Sequence, residues 1–262
     1  MSDPVTLAVD AGVARLTLAR PETGNAIDPP LAASLRAHAE ALGDRDDVRA
    51  VLLTGEGKRF CVGGDLGYFV GAEDVGAALH ALATELHQAI LALQALDAPL
   101  VVAVQGAAAG AGLSLVAGAD LAVAGQGAKL AMAYTAAGLS PDGGATWFLP
   151  RIIGTRRTAE LALTNRPLSA AEALEIGLLT RVVPDDEVGA AGEELATRIA
   201  AGPTAALGTV KRLLARSSAN DLATHLAAEA DGIAAAAAGP DGREGVAAFL
   251  EKRRPAFTGR RD

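Results

Sequence analysis

The chain of 262 residues is poor in cysteine, aromatic side chains and positive charge, and each shortage removes a class of function. A single cysteine, Cys61, admits no intrachain disulfide and no cysteine-based metal site. The four histidines (His38, His80, His87, His225) show neither HxH nor HxxxH spacing, so no metal is expected. Aromatic residues are 3% of the chain, which leaves Ala, Val, Leu and Ile to build the core. Lysine and arginine number 23 against 31 acidic residues, a net charge of −8. That balance argues against a nucleic-acid surface, although a local cation cluster could still hold an anionic ligand. No apolar run reaches the roughly 18 residues of a membrane span. The acidic start MSDPVTLAVD lacks signal-peptide character, so the expected compartment is the reducing cytoplasm.

What is present is a series of apolar strands running into small-residue turns. Residues 101–104 (VVAV) read as a buried strand, which passes Gly106 and a run of alanines to Gly110-Ala111-Gly112 and then a helical pattern. The first amides of such a helix lack intrachain partners, and with the helix dipole behind them they suit a developing negative charge. The same glycines would equally serve close packing of helix on strand, and this stretch alone leaves both uses open.

Residues 6–10 and 13–18 alternate about Ala11-Gly12, the pattern of a β-hairpin. Asp28 before Pro29 marks the N-cap of a helix over about 30–42, with Leu31, Leu35, Ala39 and Leu42 on one face. A strand at 49–54 leads through Gly55-Glu56-Gly57-Lys58 to a second small turn, Phe60-Cys61-Val62-Gly63-Gly64-Asp65-Leu66. A long helix is expected over 73–96 and a further strand at 121–124. Repeated strand–turn–helix units with continuously apolar strands indicate an α/β chain with largely parallel pairing. From Thr155 onward the pattern is helical, with a capping box at Ser169-Ala170-Ala171-Glu172 and helices expected at 185–201, 204–216, 221–238 and 243–254. A boundary near Gly202-Pro203 would divide a core of residues 1–202 from a C-terminal helical segment of residues 203–262.

Six segments in order resemble the crotonase (enoyl-CoA hydratase/isomerase) superfamily. They are RPETGNAID at 20–28, RAVLLTGEGKRFCVGGDL at 49–66, PLVVAVQGAAAGAGLSLVAGADLAVAG at 99–125, GLSPDGGATWFLPRIIG at 138–154, AEALEIGLLTRVV at 171–183 and REGVAAFLEKRRPAFTG at 243–259. Each motif alone is weakly specific; the ordered set covers nearly the whole chain. The resemblance implies a crotonase-like spiral of ββα units with a C-terminal helical trimerisation segment. It implies an acyl-CoA thioester substrate, with coenzyme A entering as part of that substrate and no other cofactor, and a homotrimer or homohexamer. It also implies two backbone N–H groups that hold a thioester oxygen as it becomes an enolate, carried over by position to Gly64 and Ala111. Small residues fit that role because a thioester must approach the main chain closely. Around them Ala26, Cys61, Gly63, Asp65, Leu66, Gly110, Tyr134, Leu139 and Trp147 are expected at the substrate site. Asp65 reads as ordering the first turn, and Cys61 as a small buried filler beside it.

Hydratases of this superfamily carry two glutamates, at positions that here are Ser114 and Tyr134. Neither can act in the carboxylate pair that activates and delivers water, so hydration is not the expected reaction. The remaining carboxylate is Asp142, in Ser140-Pro141-Asp142-Gly143-Gly144, a placement similar to the isomerase branch, ring-epoxide phenylacetyl-CoA isomerases included. One carboxylate suffices there: it removes a proton α to the thioester and returns it at the γ carbon. A solvated aspartate is a weak base for that step, and apolar surroundings are expected from Leu139, Trp147 and Phe148. The competing use of Asp142 is to cap a helix starting near Gly143.

A rival reading makes the same aspartate the nucleophile of an aryl-CoA dehalogenase, a branch the chain resembles at 162–178 (ALTNRPLSAAEALEIGL). That branch carries a histidine matching His87, but a Trp where this chain has Tyr134. His87 also reads as an ordinary helix residue beside Leu86 and Ile90. A third reading is a crotonase-like protein that binds acyl-CoA without turnover. Cations for the CoA phosphates are expected at Arg20, Lys58 and Arg59, and at Lys252 and Arg253 with Phe257, each cation also fitting a solvated surface. Leu66, Tyr68, Phe69, Val70 and the helix from about Glu73 are expected to shape the acyl pocket.

Overall fold

The computed structural model describes residues 3–259. Strands β1 (Val5–Asp10) and β2 (Val13–Leu18) form the expected antiparallel hairpin, turned at Ala11 and Gly12, both at positive φ. The chain continues through β3 (Ala50–Gly55), β4 (Leu100–Val104), β5 (Ala107–Ala109), β6 (Leu121–Gly125), β7 (Lys129–Ala131), β8 (Leu168–Ser169) and β9 (Arg181–Val183). The larger sheet has the order β1-β2-β3-β4-β6-β9, parallel from β2 onward; a smaller sheet has the order β5-β7-β8.

The strands are apolar on both faces because both faces of the larger sheet are covered. Ala50, Leu52, Val101, Ala103 and Val123 point to one side, against α8 (Val188–Ala200). Val51, Leu53, Val102, Val104 and Ala124 point to the other and join the main core. There α1 (Pro29–Gly43) and α3 (Val75–Ala95) pack on each other. Asp28 caps α1 by accepting from the Leu31 amide at 3.0 Å, as the Asp-Pro pair indicates, and Asp74 caps α3 through Ala77 at 2.9 Å.

The remaining helices are α2 (Leu66–Val70), α4 (Ala111–Ala117), α5 (Ala145–Ile153), α6 (Thr155–Thr164), α7 (Ala170–Glu175), α9 (Thr204–Arg216), α10 (Leu222–Ala238) and α11 (Pro240–Leu250). Two differences from the sequence reading bear on the site. The central strand does not run straight into its helix, because β5 intervenes. The helix expected near Gly143 starts at Ala145. At the C-terminal end α10 has no buried residue, and Leu222 and Ile233 on α10 and Phe249 on α11 are exposed.

Candidate active site

Two isolated backbone bridges bring the glycine turns together. Cys61 pairs with Ala108 of β5: its amide donates to the Ala107 carbonyl at 3.1 Å, and its carbonyl accepts from Ala109 at 2.9 Å. Gly64 pairs with Ile27, flanked by bonds from the Ile27 amide to Gly63 at 2.7 Å and from the Asp65 amide to Ile27 at 2.9 Å. Where the turns meet, Gly63 and Gly110 have φ of 101° and 52°, a region closed to most side chains. A Cβ on Gly63 would sit 3.5 Å from the Gly110 Cα, so the two main chains are in direct contact. One on Gly112 would collide with the Cys61 carbonyl. The pairing leaves the amides of Gly64 and Ala111 with no protein acceptor among the described residues.

Both amides border a cavity of about 600 Å³. Its apolar wall is one face of α3, with Leu79, Leu82, Ala83 and Leu86 at helical spacing, joined by Phe69 and Leu139. Ala26, Gly63, Asp65, Leu66, Gly110, Tyr134 and Asp142 also border it. Asp65 caps α2, its Oδ1 accepting from the Gly67 amide at 2.8 Å.

Asp142 is half-buried at the cavity. The Tyr134 hydroxyl donates to its Oδ1 at 2.7 Å, and the fully buried Ser114 Oγ lies 2.9 Å from the phenol oxygen and 3.0 Å from the Asp142 carbonyl. Burial first, and then the Asp142 carboxylate, hold the Tyr134 phenol well above its ordinary range, so it stays a hydroxyl donor. Asp142 does not cap a helix: the cap position of α5 is Gly144, in the left-handed region, with no side-chain bond. Gly143 is left-handed too, its amide donating to His87 Nε2 at 3.1 Å.

Several expected site residues lie elsewhere. Ala145, Leu149 and Ile153 are the buried side of α5, so Trp147 faces outward, exposed beneath the Arg151 guanidinium at 3.8 Å. Phe148 stacks edge-on against Trp147 and packs by Gly118 and Gly144 instead of lining the cavity. The Cys61 side chain is sealed in the core, where burial pushes its thiol up to about 12, far from the range of a nucleophile. Ser114 and His87 stand behind the residues that line the cavity, Ser114 bonded to Tyr134 and to the Asp142 carbonyl and His87 to the Gly143 amide.

Phe257 borders a separate cavity of about 700 Å³ among α9, α10 and α11, because the Asp241 carboxylate ties the tail back through the amides of Thr258 at 2.7 Å and Gly259 at 2.9 Å. Lys252 is exposed, with φ of 56°. Arg253 is bound to Glu244 and Glu251, and Arg20 to Asp28, while Lys58 and Arg59 are exposed. Unforeseen at the cavity are Ile27, Ala133 and the exposed His80, which no motif distinguishes. Among the described residues no three His, Cys, Asp or Glu side chains gather as a metal site needs, and no helix is long and apolar enough to cross a membrane.

The family model for enoyl-CoA hydratase/isomerase matches residues 8–260. The chain is 39% identical to the 1,2-epoxyphenylacetyl-CoA isomerase of Escherichia coli, over 96% of this chain and 97% of that one. It is 33% identical to the trans-2-decenoyl-[acyl-carrier-protein] isomerase of Streptococcus mutans, over 96% and 97% of the two chains. A crystal structure of an enoyl-CoA hydratase from Mycobacterium smegmatis superposes with a TM-score of 0.91 at 33% identity, covering 98% of this chain and 99% of the other.

Proposed function

The chain belongs to the enoyl-CoA hydratase/isomerase family and has its crotonase-like α/β fold, and from that premise we propose that it is an acyl-CoA isomerase. The observation that carries this is Asp142, the carboxylate at the cavity that caps no helix, beside two unengaged amides, with Ser114 and Tyr134 where a hydratase needs glutamates. The thioester oxygen sits between the Gly64 and Ala111 N–H groups. Asp142 takes a proton from the α carbon, and the electron pair of that C–H bond spreads into a dienolate whose oxygen the two amides hold. The carboxyl O–H bond then breaks as a C–H bond forms at the γ carbon, and the double bond has moved from the β,γ to the α,β position with no net gain of atoms. The leucine face of α3 keeps water from the dienolate. The names of the two isomerase relatives support the same class.

The test is incubation with a panel of enoyl- and aryl-CoA esters in deuterated water, read by mass and double-bond position. A shifted double bond is the expected result, with deuterium at the α or γ carbon to the extent that the carried proton exchanges with solvent. Addition of water at rates typical of a hydratase would overturn it. So would chloride release from 4-chlorobenzoyl-CoA without isomerisation, or tight binding with neither a shifted double bond nor label in any ester.

The same reading carries a trimer or a pair of trimers, because Leu222, Ile233 and Phe249 are exposed on helices that bury little of themselves in one chain. Sedimentation equilibrium should give three or six chains, and a stable monomer would remove that part of the proposal.

A further inference from the structure

Tyr134 follows Ala133, which is held at φ 58°, a left-handed conformation that alanine seldom adopts. Both residues border the cavity. A carboxylate only accepts, so the phenol hydrogen goes to Asp142 Oδ1 at 2.7 Å, and the buried Ser114 Oγ lies 2.9 Å from the phenol oxygen and 3.0 Å from the Asp142 carbonyl. On the other side of Asp142 the main chain is pinned by the Gly143 amide on His87 Nε2 at 3.1 Å. The second carboxylate oxygen, Oδ2, has no hydrogen-bond partner among the described residues.

Resting on the isomerase reading of this site, we infer that Tyr134 is a positioning residue that grips one oxygen of Asp142 and leaves the other as the sole carrier of the transferred proton. The proton leaves the α carbon for Oδ2 and returns from Oδ2 to the γ carbon. The grip on Oδ1 prevents the carboxyl group from turning over and releasing that proton to solvent between the two steps. Strain at Ala133 is consistent with this use, since backbone held in a disfavoured region is found where a side chain must be aimed.

Two measurements test it. In chemical denaturation, Tyr134→Phe is expected to destabilise the parent chain more than an Asp142→Ala chain, where the hydroxyl keeps Ser114 and the residue-142 carbonyl but has no carboxylate to hold. In turnover, Tyr134→Phe should lower kcat roughly 10- to 100-fold with KM within about twofold, since positioning errors act on the reacting geometry. The fraction of α-label carried to the γ carbon should fall as well, which a merely structural loss would not cause. Should the phenylalanine variant not fold, Ser114→Ala, which removes the hydroxyl behind the phenol, gives the same label readout. Additive unfolding effects would overturn the grip itself. Non-additive unfolding with unchanged kcat and label retention would overturn the positioning role. If the parent protein isomerises no ester, the functional reading has failed, and the denaturation cycle still decides the contact.

Discussion

Asp142→Asn is expected to lower kcat by roughly two to four orders of magnitude, the range assigned to a lost acid–base group, while the protein unfolds within a few degrees of its parent. Asparagine keeps the shape of the side chain, and its carbonyl oxygen can still accept the Tyr134 hydroxyl that Oδ1 accepts at 2.7 Å. What it lacks is any capacity to take a proton from carbon. Stability should hold because α5 does not depend on this side chain: its cap position is Gly144, and the loop is fixed by the left-handed glycines and by the Gly143–His87 bond. The measurements are turnover on whichever ester the labelling panel identifies, calorimetric unfolding, and binding of the same ester. A folded variant that binds and still turns over at a tenth of the parent rate or more would remove Asp142 from the chemistry. A large loss of stability with activity retained would make it a structural residue.

The sequence carried β1 to β4 and β6 of the larger sheet, and for a physical reason, but missed the short β9, which lies in the stretch read as helical. Strands such as 101–104 are apolar at every position because α8 covers one face and the main core the other, so burial writes itself into consecutive residues. The caps at Asp28 and Ser169 were equally legible, since each side chain bonds a backbone amide three residues on. Strand β5 was not. It is three alanines long, without strand propensity of its own, and is a strand because Cys61 and β7 pair with it. Length of contact across the chain, here nearly 50 residues from Cys61 to Ala108, leaves no local trace.

At the site, the Gly64 and Ala111 amides were placed by the resemblance, and the structure brings both to the border of the cavity that Asp142 also lines. Asp142 was visible because no other carboxylate stood at the matching positions. The error at Trp147 came from helix phase. Two consecutive left-handed glycines delay α5 to Ala145, which rotates Ala145, Leu149 and Ile153 inward and Trp147 out. Tyr134 was recognised as a substitution for a lost glutamate, but its bond to Asp142 was not. Its placement follows Ala133 at φ 58°, and nothing in an alanine announces a left-handed backbone. The helix from about Glu73 was expected to shape the acyl pocket, and its residues Leu79, Leu82, Ala83 and Leu86 border the cavity.

The Ala111 amide offers the second large effect, and a cleaner test than its companion. A side chain cannot remove a backbone donor, but proline can. Ala111 is the first residue of α4, where proline is tolerated because the missing N–H has no intrahelical acceptor. Gly110 before it has φ 52° and ψ −124°, already outside the helical region that proline disfavours in its predecessor. Ala111→Pro should therefore fold and yet lose roughly 100- to 1000-fold in kcat, about 3 to 4 kcal/mol of transition-state stabilisation. Ala111→Gly keeps the amide and should stay near the parent rate, with α4 weakened by about 1 kcal/mol at most. Circular dichroism confirms folding, and the ratio of the two rates reports the exchange of the N–H for a ring carbon. Equal losses in both variants would mean that packing, not the donor, matters at this turn. Full activity in the proline variant would leave the Gly64 amide to hold the oxygen alone. The same experiment at Gly64 is less direct, because even a Cβ there would press on the Phe69 ring at 3.0 Å. A loss in that variant would mix a missing donor with a displaced cavity wall, whereas at Ala111 it joins the missing donor to the proline Cδ that takes the hydrogen's place.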